Sequence, residues 1–93
     1  MHSDVKSIEK TASATAVSGE HRLKGVYLVP SASAGTLIVK DGGSSGTTML
    51  TLKTVASATA DPVFVPIPCN GIRFMTDIYL DITDVASVTV FWD

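Results

Sequence analysis

With 93 residues and a formal net charge of −2, the chain has room for one domain and one modest core. Its hydrophobic share of 45% argues against disorder, while its charged share of 17% is low beside the roughly 25% of ordinary soluble proteins. Seven Lys and Arg scattered from Lys6 to Arg73 exclude the cationic cluster on which nucleic-acid binding depends. One cysteine, Cys69, excludes an intramolecular disulfide, and no apolar run nears the ~20 residues that cross a bilayer. So few charges on so small a body imply that another chain covers part of the surface.

Residues 1–20 read as an N-terminal arm. Met1 to Lys6 lacks the apolar core of a signal peptide, which points to synthesis and assembly in the cytoplasm. Val5, Ile8 and Ala12 would share a helical face. The Ser/Thr-rich stretch Thr11-Ala12-Ser13-Ala14-Thr15-Ala16 favours an extended arm or edge strand, because those hydroxyls compete for the backbone. Residues 23–29 form the next strand, with Leu23, Gly25, Tyr27 and Val29 on one face and Lys24, Val26 and Leu28 on the other. Apolar residues on both faces suggest a strand covered on both sides, and Pro30 ends it.

Residues 35–53 are a β-hairpin. Leu37 and Val39 alternate with Thr36 and Lys40, and Leu50 and Leu52 alternate with Thr51 and Lys53, so the leucine-bearing sides can share one core. Between them Asp41-Gly42-Gly43-Ser44-Ser45-Gly46 reads as a flexible tip. After a loop at 56–62, Val63-Phe64-Val65 is a short strand, and Pro66 and Pro68 keep the next few residues at an edge. Asn70-Gly71 turns into a short strand at 72–74. The closing pair sets Ile78, Leu80 and Ile82 against Val88, Val90 and Trp92, with a turn over Asp84-Val85-Ala86-Ser87. Six to seven short strands and no strong helix predict an all-β domain over 21–93, an antiparallel β-sandwich of jelly-roll or immunoglobulin-like type.

Chemistry finds little purchase. Gly42-Gly43-Ser44-Ser45-Gly46 matches the nucleophile-elbow spacing, but that motif works only where a strand turns into a helix above an α/β sheet. No Gly-Lys-Ser/Thr comes after it to make a phosphate loop. Asp77, Asp81 and Asp84, with Asp93, read as solvated and turn carboxylates, not as converging calcium ligands. His2 and His21 lack a partner with metal-site spacing, and Cys69 reads as a small buried residue. The expectation is a non-enzyme with no cofactor or metal. Ile38, Met49, Tyr79 and Phe91 instead fall on strand faces opposite the core and predict an apolar contact surface.

The pieces Ala34-Gly35-Thr36-Leu37-Ile38-Val39-Lys40-Asp41-Gly42, Gly71-Ile72-Arg73-Phe74 and Val88-Thr89-Val90-Phe91-Trp92, in a charge-poor Ser/Thr/Ala/Gly texture, resemble small virion proteins of tailed bacteriophages. The resemblance covers residues 22–93. It implies a β-sandwich that assembles on the particle as a homo-oligomer, often a trimer, against the major capsid protein or another virion protein. The roles it suggests are head decoration (cement), head fibre or tail accessory, with residues 1–20 reaching to a neighbouring subunit. A carbohydrate- or surface-binding module, stacking sugars on Tyr79 and Phe91, is the rival from another class.

Overall fold

The alternation of apolar and polar residues becomes strand along most of the chain that the computed structural model describes, residues 5–56, 61–67 and 71–93. Nine strands lie among these residues: β1 (Lys6–Lys10), β2 (Ala14–Ser18), β3 (His21–Pro30), β4 (Gly35–Asp41), β5 (Thr47–Thr54), β6 (Val63–Pro66), β7 (Ile72–Phe74), β8 (Asp77–Thr83) and β9 (Val85–Trp92). They form two antiparallel sheets. The first has the order β1-β9-β3-β6, with β7 beside β6 on the same side of β3, and the second runs β2-β8-β4-β5. The fold is a small β-sandwich.

The core is the seam between the sheets. Leu23, Val26 and Leu28 of β3 and Val88, Val90 and Trp92 of β9 meet Leu37 and Val39 of β4 and Ile78 and Leu80 of β8. Phe74 is fully buried with them. Each such side chain contributes about 1.5–3 kcal/mol by leaving water. The inward alternation expected for the hairpin and the closing strands is what the structure has.

Among the described strands only β4 and β5 make a hairpin within one sheet. Nearly every other connection crosses from one sheet to the other. The sharpest crossing is Asp84, a single residue at φ 54 between β8 and β9. The expected closing pair is therefore two strands in different sheets, and Val85–Ser87 belong to β9 instead of a turn. An aspartate tolerates this left-handed backbone better than most residues. The Ser31 hydroxyl braces the corner by donating to the Asp84 carbonyl at 2.7 Å.

The N-terminal segment also differs from an arm. β1 pairs with β9 and β2 pairs with β8, so residues 6–18 supply one edge of each sheet. This accounts for nine strands where six to seven were expected. A second difference lies in β3. Leu23 pairs with Trp92 and Gly25 with Phe91, so Lys24 is an extra residue that shifts the alternation by one. Leu23, Val26 and Leu28 thereby all face inward. Gly25, Tyr27 and Val29 face outward, Gly25 buried beneath the Phe64 ring, Val29 half-buried and Tyr27 exposed.

Candidate contact surface

The outer face of the first sheet concentrates the chain's uncovered aromatic surface. Strand pairing places Ser7, Phe91, Gly25 and Pro66 in one row across four strands, and Glu9, Thr89, Tyr27 and Phe64 in the next. Glu9 is the one charged residue in these rows. Phe64 stands 55% exposed and Tyr27 37%. The Phe64 and Phe91 rings meet edge to face, 5.9 Å between centroids at 74°, an arrangement worth ~0.5–1.5 kcal/mol beyond burial. Gly25 makes room for it: a Cβ there would come within 3.1 Å of the Phe64 ring.

The outer face of the second sheet is different in kind. Its rows read Thr15, Tyr79, Lys40 and Thr48, then Asp81, Ile38 and Thr51, then Thr83, Thr36 and Lys53. Lys40 and Asp81 form an ion pair at 3.4 Å across neighbouring strands. The Ser13 hydroxyl accepts the Ile82 N–H at 2.8 Å beside them. Ile38 and Tyr79 thus sit singly among hydroxyls and charges.

The four residues expected to share a contact face are therefore divided. Ile38 and Tyr79 lie on the second sheet's outer face and Phe91 on the first sheet's. Met49 packs against the core, because β5 carries an extra residue where Val39 pairs with Leu50 but Lys40 with Thr48. Sequence reasoning missed Tyr27 and Phe64. The signal for Phe64 was present in the alternation Val63-Phe64-Val65, whereas that for Tyr27 was hidden by the bulge at Lys24.

Two concavities flank this face. An apolar slot of ≈ 390 Å³ opens between the sheets at the β5/β6 edge, lined by Leu28, Leu52, Val55, Val63 and Val65. A polar notch of ≈ 410 Å³ is lined by Glu20, His21, Arg22, Arg73 and Asp93. Its two guanidinium groups are offset by two carboxylates, and Arg73 is ion-paired with Glu20. The His21 ring nitrogen Nε2 is 3.1 Å from the Ser18 carbonyl, and the ring stands edge-on to Trp92. These lining residues pair no nucleophile with a base.

The hairpin tip carries a feature of another sort. The Asp41 carboxylate accepts the N–H groups of Met75 at 2.9 Å, Thr76 at 2.8 Å and Asp77 at 3.4 Å. Asp77 Oδ1 in return accepts those of Gly42 at 2.9 Å and Gly43 at 3.1 Å, and Lys40 donates to the Ser44 carbonyl at 2.8 Å. The loop expected to be flexible is thus tied on three sides. The Met75 N–H, then the Thr76 N–H, hold the Asp41 carboxyl below its ordinary value, with desolvation acting the other way.

The aspartates that read as solvated or turn residues have separate partners. Asp77 binds backbone, Asp81 pairs with Lys40 and Asp84 turns the chain. Among the described residues no three His, Cys, Asp or Glu gather as metal ligands, and no helix is long and apolar enough to cross a membrane. Gly42 to Gly46 lead into β5, with no helix. Cys69, His2 and Asn70 lie outside the described residues.

The sheet edges are each blunted. β1 carries Lys6, Glu9 and Lys10; β2 and β5 are bulged, at Ala16 and Met49; β6 and β7 are four and three residues long, with Pro66 in the former. Such devices discourage strand addition. No family model matches the chain, and neither a curated protein nor a solved structure matches it.

Proposed function

We propose that the chain is a non-enzymatic structural protein of a tailed-phage particle, a capsid decoration (cement) protein that stabilises the head by inter-subunit contacts. The observation that carries this reading is the aromatic cluster on the first sheet's outer face, exposed Tyr27 and Phe64 with half-buried Phe91 in the adjoining row, on a slab whose other face is polar. A decoration protein needs that polarity: one side to bury against the shell and one to leave in water. The blunted edges fit contact through a face.

The exposed area bears on how such a contact would hold. At 55% and 37% exposure of roughly 200 Å² each, Phe64 and Tyr27 leave on the order of 200 Å² of ring uncovered. A stable pairwise interface needs about 800 Å² per partner. A contact this small holds through repetition by symmetry, which a self-associated ring, such as a trimer, on a capsid lattice supplies. Phage origin itself comes from the resemblance over residues 22–93.

Quantitative mass spectrometry of purified phage particles, with light scattering of the isolated protein, tests the proposal. The expected result is an oligomer in solution and a copy number matching the capsid lattice. A few copies per particle would move the protein to the tail or a fibre. A strict monomer absent from particles would overturn the reading. The sugar-binding rival is served less well by rings set at 74° than by a coplanar platform, and a glycan array above background would favour it.

A further inference from the structure

We propose that Asp41 and Asp77 form an acid-released latch, which ties the β4–β5 loop to the β7–β8 turn and frees both while the sheets stay folded. Two carboxylates exchange five backbone hydrogen bonds over 34 to 36 positions of sequence. Asp41 uses both oxygens, Oδ2 toward Met75 and Oδ1 toward Thr76 and Asp77. A proton on either Asp41 oxygen sets an O–H against an N–H and leaves the other oxygen an uncharged, weaker acceptor, so the exchange is strongest with the carboxylate ionised. Charge-assisted bonds of this type are about twice as strong as neutral ones.

The latch controls a crossing between the two sheets. The 75–76 turn leads from β7 in the first sheet to β8 in the second, next to the buried Phe74 and Ile78. The Gly19 N–H, donating to the Thr76 carbonyl at 2.8 Å, brings in the β2–β3 turn. The charged and titratable groups around it have other partners or stand apart. Lys40 holds the Ser44 carbonyl and Asp81; Tyr79 lies opposite Lys40 in β8; Glu20 pairs with Arg73; and His21 lies against Ser18. Among the described residues no ammonium or guanidinium group binds Asp41 or Asp77 directly, so protonation is not countered by a fixed cation.

The sign comes from Asp41. Its folded carboxyl titrates below the ordinary aspartate value, near 3.9. The stabilisation is therefore present above that value and lost as pH falls through the lower folded one.

Amide hydrogen exchange followed by NMR tests this. Between about pH 5 and about pH 2.5, a window that brackets the ordinary carboxylate range, the protection factors at Gly42, Gly43, Met75, Thr76 and Asp77 should fall roughly tenfold or more, while those at Val26, Leu37 and Val90 hold. The D41N/D77N double variant should show the low protection already near neutral pH and no further response, whereas D81N should behave as the parent. Equal protection at both pH values, or loss at Leu37 and Val90 in step with the loop, would overturn the latch. So would a double variant that kept the acid response. The parent's own pH series decides the matter should the double variant not fold.

Discussion

The two outer faces of this sandwich differ in how their side chains are grouped: the first sheet sets its aromatics side by side, with its charges apart from them at Glu9 and at the Arg22–Arg73 pair, whereas the second is threaded with hydroxyls and an ion pair. Across the first sheet, Phe91, Gly25 and Pro66 stand beside Tyr27 and Phe64. Across the second, each large apolar side chain is flanked on both sides by polar ones: Ile38 lies between Asp81 and Thr51, and Tyr79 between Lys40 and Thr15. The difference teaches that exposure of one aromatic says little, whereas adjacency of several says where water is meant to leave. Under the proposed function, the aromatic side is the one that attaches.

The comparison can be broken in four ways. Two phenylalanines set the scale. Phe74→Ala empties a fully buried site and should destabilise the fold by about 3–5 kcal/mol in denaturant unfolding. Phe64→Ala should cost about 1 kcal/mol, since its ring contact with Phe91 is the main loss. Equal costs would mean that the aromatic cluster belongs to the fold and not to a contact. Next, Phe64→Glu or Tyr27→Glu should weaken association by about 2 kcal/mol or more, roughly thirtyfold, in sedimentation or particle binding. Tyr79→Glu and Ile38→Glu should change it less than about threefold.

Gly25→Val probes the aromatic cluster from below. Its side chain would press on the Phe64 ring, costing about 1–2 kcal/mol as overpacking and altering the Phe64–Phe91 contact seen by ring-proton NMR shifts. The smallest effect belongs to the polar face. A double-mutant cycle on Lys40 and Asp81, using K40M and D81N, should return under about 1 kcal/mol and shrink with salt.

Much of the fold was legible in the sequence because alternation is a local signal. Leu37 and Val39, Leu50 and Leu52, and Val88, Val90 and Trp92 declare their inward side within a few residues. What was not legible is what a single extra residue does. The bulge at Lys24 moves Tyr27 from a supposedly covered side to an open one, and that at Met49 turns an apparent surface residue toward the core. The N-terminal strands escaped notice because Ser, Thr and Ala bury little, so that pairing with β8 and β9 decides their structure. The Asp41–Asp77 exchange could not be read at all, since it depends on two loops meeting from distant parts of the chain.

The most direct test of the account is hydroxyl-radical footprinting of the particle-bound protein against the dissociated one. Tyr27, Phe64 and Phe91 should be shielded on assembly, while Tyr79 and the exposed Met75 keep their reactivity. Shielding at Tyr79 and Ile38 with Phe64 still reactive would contradict it.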